Sequence, residues 1–501
     1  MTRSPYATYL LAASVMLATI MQVLDTTIAN VALPHMQGGL GASSDQIIWV
    51  LTSYIVAAAI MTLPVGYLSQ RYGRRAVLLW SVAGFTVSSM LCGQAGSLTE
   101  MIVWRIAQGI CGAALVPLSQ SILLDSFPPE KHASAMSVWG MGVMIGPILG
   151  PSLGGWLTEY YSWRWVFYIN LPIGIISMLG IYRYVPVTRT TLKRFDFLGF
   201  GLLALAVASL QLLLDRGEHV QWFDAMEIKL YAILVALGLY LFVVHARTSE
   251  HRFLSPALFR DRNFVTGLMF IFIVGIILLA TMALLPPMLQ NWKGYPVSTT
   301  GLILMPRGVG TMLGMLVVAR LMRFIDARMI LLAGMSLVCL SLWGMTQFTI
   351  EVGARELIIN GFVQGLGLGL VVIPSTTLTY ATLPGHLRDE GAALYSLSRN
   401  MGSSIGVSMV MAVLTRNLWI NQQELASRLQ PDSGLLAMLP DTGTIAALPM
   451  AVARELNRQA AEIAFVNDFQ LLMWVNLAAM PLVLLLRVPR VPALQGATSN
   501  P

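Results

Sequence analysis

The sequence is poor in charge. Only 11% of its 501 residues are Asp, Glu, Lys or Arg, while 56% are hydrophobic. Soluble domains carry about 25% charged residues, so too little polar surface is available to cover a soluble globule of this length. This excludes a soluble enzyme and a disordered, fibrous or nucleic-acid-coating chain, despite the net charge of +7. Cysteine is scarce too. Cys92, Cys111 and Cys339 stand far apart in apolar runs with no Cys-x-x-Cys or Cys/His pattern. That excludes a disulfide framework and a metal site, and reads as small buried hydrophobes. None of the four lysines is followed by Ser or Thr. A phosphate-cradling Gly-x-x-x-x-Gly-Lys-Ser/Thr loop is therefore absent, and with it transport driven by this chain's own nucleotide hydrolysis.

Long apolar runs are what the chain has, and its mean hydropathy is +0.70. A bilayer crossing takes about 20 residues. Fourteen runs qualify, near 9–32, 47–67, 76–96, 99–123, 134–157, 164–184, 197–214, 228–246, 264–285, 298–319, 329–349, 356–380, 392–415 and 466–486. The first is too long for a cleaved signal peptide and ends in Leu24-Asp25-Thr26-Thr27, not a small-residue cleavage site. Placing the N-terminus inside puts 19 of the 31 basic residues in inner segments and five in short outer loops. The positive-inside rule then sets both termini in the cytoplasm and explains the basic balance without nucleic acid. Trp49, Trp104, Trp163, Trp165, Trp222, Trp292 and Trp419 fall near outer ends as an interfacial belt. One outer loop, 416–464, is far longer than the rest, and its residues 450–463 read as an amphipathic helix.

Two stretches repeat. Residues 105–117 and 361–374 share Gln-Gly and a later Pro, and the basic turn at 71–75 is echoed weakly at 320–328. Two similar six-helix bundles, 1–190 and 261–501, with two inserted spans in 191–260, would produce this pattern. Repeats that rock about a central site are a transporter design.

Asp25 is the one acid among the 24 that this reading places well inside a span. At 1.5 Å per residue it lies ~24 Å along the first span, and Arg105 lies ~9 Å below the outer end of the fourth. The two share a depth and can face each other. An intramembrane charge suggests function, and two readings stand: a carboxyl that binds and releases a proton, or an ion pair that locks two helices. Arg307 and Arg399 are the other buried cations, either meeting substrate or capping carbonyls at helix breaks. Gln22, Asn30, Asn170, Gln364 and Asn400 read as interhelical hydrogen bonds. Gln108, one turn below Arg105, reads as part of its site. Gly140-Met141-Gly142, Gly365-Leu366-Gly367-Leu368-Gly369 and Gly402-Ser403-Ser404-Ile405-Gly406 mimic dinucleotide and hydrolase motifs, but all lie inside spans. There, small residues serve close helix approach. His245 falls at the inner interface.

These residues resemble a family. Gly66-Tyr67-Leu68-Ser69-Gln70-Arg71-Tyr72-Gly73-Arg74-Arg75 is similar to the loop between helices two and three of the major facilitator superfamily. The run from Leu24 to Pro34 resembles the first-helix signature of its fourteen-span drug:proton antiporters, and Arg105-Ile106-Ala107-Gln108-Gly109 the fourth-helix motif tied to proton coupling. Gly142, Gly146, Pro147, Gly150, Pro151, Gly154 and Gly155 match the fifth-helix antiporter motif. The run Asp215-Arg216-Gly217 and the long last outer loop look most like the EmrB type of Gram-negative inner-membrane pump.

The resemblance implies an all-α major facilitator fold and a proton-coupled antiporter in the bacterial inner membrane. It would export hydrophobic or amphipathic toxic compounds, with no cofactor besides the proton gradient. It also implies a periplasmic adaptor leading to an outer-membrane channel. Asp25 and Arg105 would couple protons. Gln22, Asn30, Gln108, Arg307, Gln364 and Arg399 would reach the substrate cavity, with Asp25 and Arg105 near its outer part. The 29 methionines fit adaptable packing against varied ligands. Gly66, Gln70, Arg71, Gly73, Arg74 and Arg75 would gate the inner face. Gln70 stands where the family's loop usually carries Asp, which puts that loop's charge network in question. The rival readings are a dedicated carrier of one metabolite or peptide on the same fold, and a channel subunit or membrane enzyme.

Overall fold

A computed structural model describes residues 5–188, 190, 194–217, 220–249, 252–349, 352–428 and 448–487. The chain's two ends and 429–447, the middle of the expected long loop, lie outside the described residues. Among the described residues there is no strand. With no water to satisfy backbone groups in a bilayer, helices are one of the two spanning solutions.

The first six spans are α1 (Pro5–Leu40), α2 (Trp49–Thr62 and Val65–Tyr72), α3 (Arg74–Gln94), α4 (Leu98–Gly112 and Leu115–Ser126), α5 (His132–Tyr160) and α6 (Trp165–Tyr168 and Asn170–Tyr184). The inserted pair is α7 (Phe197–Gly217) and α8 (Met226–Thr248). The last six are α9 (Arg262–Pro287), α10 (Val297–Leu321), α11 (Ala327–Thr346), α12 (Ala354–Ala381), α13 (Arg388–Arg428) and α14 (Leu448–Ala479). Thirteen are long and apolar enough to cross a membrane, and α2, bent by 56° at its break, makes the fourteenth. All fourteen runs found in the sequence coincide with them.

Helices α1–α6 pack among themselves, as do α9–α14; α5 meets α10 and α12 between the groups, and α13 meets the inner halves of α2 and α4. The repeated segments fall on the matching spans α4 and α12. Of the inserted pair, α7 touches both groups. Its Asp215 accepts from Thr52 of α2, its Gln211 donates to Ser404 of α13 at 2.8 Å, and Ser408 of α13 donates to its Leu214 carbonyl at 2.7 Å. Helix α8 packs on α7 and leaves Ile233 and Tyr240 exposed, as a lipid-facing helix should.

The long outer loop departs from its expectation. Residues 416–428 continue α13, and the expected amphipathic helix at 450–463 is the outer part of α14 itself. Asn421 of α13 donates to the Ala460 carbonyl at 3.3 Å, so the two extensions run side by side. Polar residues end an apolar run, but they do not end a helix that still has a neighbour to pack on.

Glycine sets the close approach of α5 to α1. A Cβ on Gly142, Gly146, Gly150 or Gly154 of α5 would fall 2.9, 2.5, 2.2 or 3.1 Å from Met16, Val23, Thr27 or Ile28 of α1. The four-residue spacing makes one smooth stripe, and Thr27 uses the approach to donate to the Gly146 carbonyl at 3.1 Å. The glycines of Gly402–Gly406 serve α13 in the same way, abutting the backbone of Phe272 and Ile276 in α9. Gly150→Val should push α1 off α5 at an overpacking cost of about 1–3 kcal/mol. The expected result is a lower thermal unfolding midpoint of the detergent-solubilised protein. Gly155→Ala, with nothing within 4 Å of the added carbon, should leave it unchanged.

Candidate functional site

Three features stand out: a buried carboxylate cluster, a cavity between the bundles and a set of ion pairs at the inner end.

The cluster lies in the core of α1–α6. Asp25, Arg105, Gln108 and Asn170 are all 0% exposed. Arg105 Nη1 donates to Asp25 Oδ2 at 2.7 Å; Gln108 Nε2 and Asn170 Nδ2 each donate to Oδ1 at 2.8 Å. One carboxylate thus takes three N–H donors from α4 and α6, a set that satisfies the ionised form. Arg105 also donates through Nε to the Val50 carbonyl at 3.0 Å and stacks over Tyr54, both in α2, leaving Nη2 without a partner. The cluster therefore ties α1, α2, α4 and α6 together. Gly109 makes this possible, because a Cβ there would sit 2.5 Å from the Tyr54 carbonyl of α2. Asn170, which reads in sequence as an ordinary interhelical contact, is a third ligand of Asp25. Its partner Ser89 has no motif to announce it.

The cavity is bounded by α4 and α5 on one side and by α9, α10, α12 and α13 on the other. Its wall is apolar, with Val143, Met144, Ile271, Val274 and Met315 contributing. Among the described residues, the one charged side chain lining it is Arg399. Neither Asp25 nor Arg105 lines it, so the carboxylate cluster lies within one bundle and away from the cavity wall. The expected substrate-cavity residues separate. Arg399 lines this cavity, and Arg307 lines a smaller one with Met345, Phe348 and Gly361, donating to the Leu278 carbonyl at 3.1 Å. Gln108 belongs to the Asp25 cluster. Gln22 is half-buried, Asn30 is exposed, and Gln364 is fully buried with neither amide atom bonded.

At the inner end, Arg74 of α3 pairs with Asp125 of α4 and, at 2.7 Å, with Asp389 of α13. Asp389 also accepts from Ser69 at 2.7 Å and from Ser121, and Arg388 of α13 pairs with Asp125. All but the Arg74–Asp125 pair cross from one bundle to the other and close this end of the interface between them. Gly66 lets α2 approach the backbone of Glu390 of α13, at 2.7 Å from a notional Cβ. Gly73 turns the chain at φ +86°, which other residues resist. Arg71 bonds Tyr67 at 2.7 Å, and Arg75 lies over Tyr182. Gln70 makes no ion pair or hydrogen bond among the described residues. The network survives the missing loop acid because Asp389 and Asp125 supply the charge from α13 and α4.

Asp389→Asn should loosen this closure. Each ~1.4 kcal/mol lost from the closed state shifts the balance tenfold. A thiol introduced by Val143→Cys in the cavity wall should then react with a polar maleimide from the inner side at least severalfold faster than in the parent.

The chain matches the family model described as Major Facilitator Superfamily over residues 15–417. The multidrug export protein EmrB of Escherichia coli (strain K12) is 35% identical over 415 residues, 82% of this chain and 80% of that one. The fatty acid resistance protein FarB of Neisseria gonorrhoeae is 34% identical over 422 residues, 84% of this chain and 83% of that one. Among solved structures, the human organic anion transporter MFSD10 superposes with a TM-score of 0.60 at 14% identity, covering 95% of this chain and all of that one, and shows the shared fold. Spans, helix order, inner ion pairs and relatives agree: this chain is a multi-pass membrane protein that belongs to the major facilitator superfamily.

Proposed function

We propose that the protein is a proton-coupled multidrug exporter of the bacterial inner membrane, with both termini cytoplasmic. In this reading 1–190 and 261–501 rock as two bodies around the cavity, and Asp25 carries the proton. The observation behind it is the carboxylate cluster: a fully buried acid held by three N–H donors. Protonating Asp25 removes one acceptor and leaves a buried donor unsatisfied, which costs about 1–3 kcal/mol. The change is felt along α1. Two residues on, Thr27 bonds the Gly146 carbonyl of α5, and the glycine stripe holds the two helices together. Helix α5 in turn lines the cavity and packs on α10. Proton binding in one bundle core thereby acts on the cavity wall without touching the substrate.

The cargo in this reading is hydrophobic or amphipathic, matched to the apolar wall. Arg399, the wall's one charge, favours anions over cations, and FarB's name associates that relative with fatty acids. In proteoliposomes, a pH gradient should drive uptake of a hydrophobic anion by the parent protein. Asp25→Asn should lower this by about tenfold or more, the effect of ~1.4 kcal/mol or greater. Arg399→Gln should reduce anion transport while sparing a neutral dye. Full gradient-driven transport by Asp25→Asn would leave the Asp25–Arg105 pair as a structural lock.

The paired extensions of α13 and α14 reach ~20 Å past the expected membrane end of α13, at 1.5 Å per residue. A pump acting on one membrane has no need of such a stalk, and it supports docking of a periplasmic adaptor that leads to an outer-membrane channel. Replacing about 425–458 with a Gly/Ser linker tests this, a length chosen to spare the buried Ala460. Proteoliposome transport should persist, while drug resistance in cells and adaptor co-purification fall. Unchanged resistance would remove the docking role.

A further inference from the structure

A second acid is buried in the other bundle. Asp468 of α14 is 0% exposed, and among the described residues neither of its carboxylate oxygens has a hydrogen-bond partner. It sits between Phe465 and Phe469, which belong to an apolar cluster with Leu284, Met288 and Leu414. Asp25 shows what a buried carboxylate in this fold recruits when ionised: an arginine and two amides. Asp468 has recruited nothing.

No charge on the helices packed against α14 reaches it. Its neighbours are α9, α11, α13 and the turn Met288–Trp292. Helix α9 carries no titratable side chain beyond Arg262 at its inner end, and the turn carries none. Helix α11 has Arg328 at its inner end and Cys339. Helix α13 runs antiparallel to α14, in the register set by Asn421 and Ala460. Asp468 then lies level with the residues near 413. The nearest charge on α13 is Arg416, which is exposed, with Glu424 exposed farther out. On α14 itself, Arg454, Glu455 and Arg458 lie more than two turns outward and Glu462 more than one. A lone ionised carboxylate in such a place costs several kcal/mol, and the neutral acid is the species these surroundings accept.

We propose that Asp468 is a second proton-binding site of the transport cycle, neutral in this inner-closed conformer and ionised when the outer ends of α13 and α14 separate enough to wet it. The step is simple acid–base exchange: Asp468 gives its proton to water and regains it from water on the same side. The two bundles would then each hold one acid, in opposite protonation states in this conformer. This rests on the proton-coupled reading above.

The test uses the full-length protein reconstituted in lipid, and infrared difference spectra between acidic and alkaline buffer. In the Asp25→Asn background, a protonated-carboxyl band should remain and change with pH. Adding Asp468→Asn should abolish that band, and Asp468→Glu should shift its frequency while keeping it, which a merely structural role would not do. Because the proton returns to the side it left, Asp468→Asn alone should leave the number of protons exchanged per substrate unchanged and should flatten the dependence of transport rate on outer pH in proteoliposomes. Spectra of Asp25→Asn that do not change on adding Asp468→Asn would overturn the proposal, as would an Asp468→Asn protein whose transport rate keeps the parent's dependence on outer pH. Neither result bears on Asp25, whose role is read separately from Asp25→Asn transport. Should Asp468→Asn fail to insert, the Asp468→Glu band shift decides alone.

Discussion

A charge inside the membrane has to be answered by its neighbours, and around Asp25 that requirement organises half the molecule. Its carboxylate cannot be hydrated, so Arg105, Gln108 and Asn170 converge on it from two other helices. Arg105 must in turn be satisfied, and it reaches the Val50 carbonyl and the Tyr54 ring on a third. The glycines at 109, 146, 150 and 154 follow from the same demand, because donors of fixed length meet one acid only if the helices close up. In lipid no hydrophobic driving force gathers helices, so this packing and these buried hydrogen bonds hold the bundle. A group placed at such a crossing gives a proton great leverage over helix positions.

The inner ion pairs are the counterpart of that cluster. They join the bundles where the cluster joins helices within one bundle, and in both an acid is shared among several donors. Asp389 takes Arg74, Ser69 and Ser121, although the chain has Gln70 where its family usually has an acid. The closing charge has been supplied from the opposite side of the interface. Helix α7, hydrogen-bonded to α2 and α13 at once, adds a further tie between the bundles.

Much of this was legible in the amino-acid order. Apolar run length fixes span count, and all fourteen runs are helices. The depth arithmetic for Asp25 and Arg105 held because rise per residue is constant. The cavity was not legible: depth says nothing of which way a side chain faces, and of Gln22, Asn30, Gln364 and Arg399 only Arg399 lines the wall. Asp389 and Asp125 sit at span ends, where acids are common and unremarked. Asp468 escaped because it stands two residues inside the expected start of the last span, where a carboxylate reads as solvated. The helix continues outward as far as Leu448 and buries it. The long loop and Asp468 share one cause: a helix with a neighbour to pack on does not stop where hydropathy falls.

In the proposed cycle substrate and proton are linked through Asp25 without meeting. Proton release on ligand addition, recorded with a pH indicator in weakly buffered detergent solution, tests it most directly. The parent protein should release protons when a transported anion is added, in proportion to site occupancy. Asp25→Asn should bind the same anion with little change in affinity and lose that part of the release which Asp25 contributes. Full proton release by Asp25→Asn, at unchanged affinity, would contradict the account.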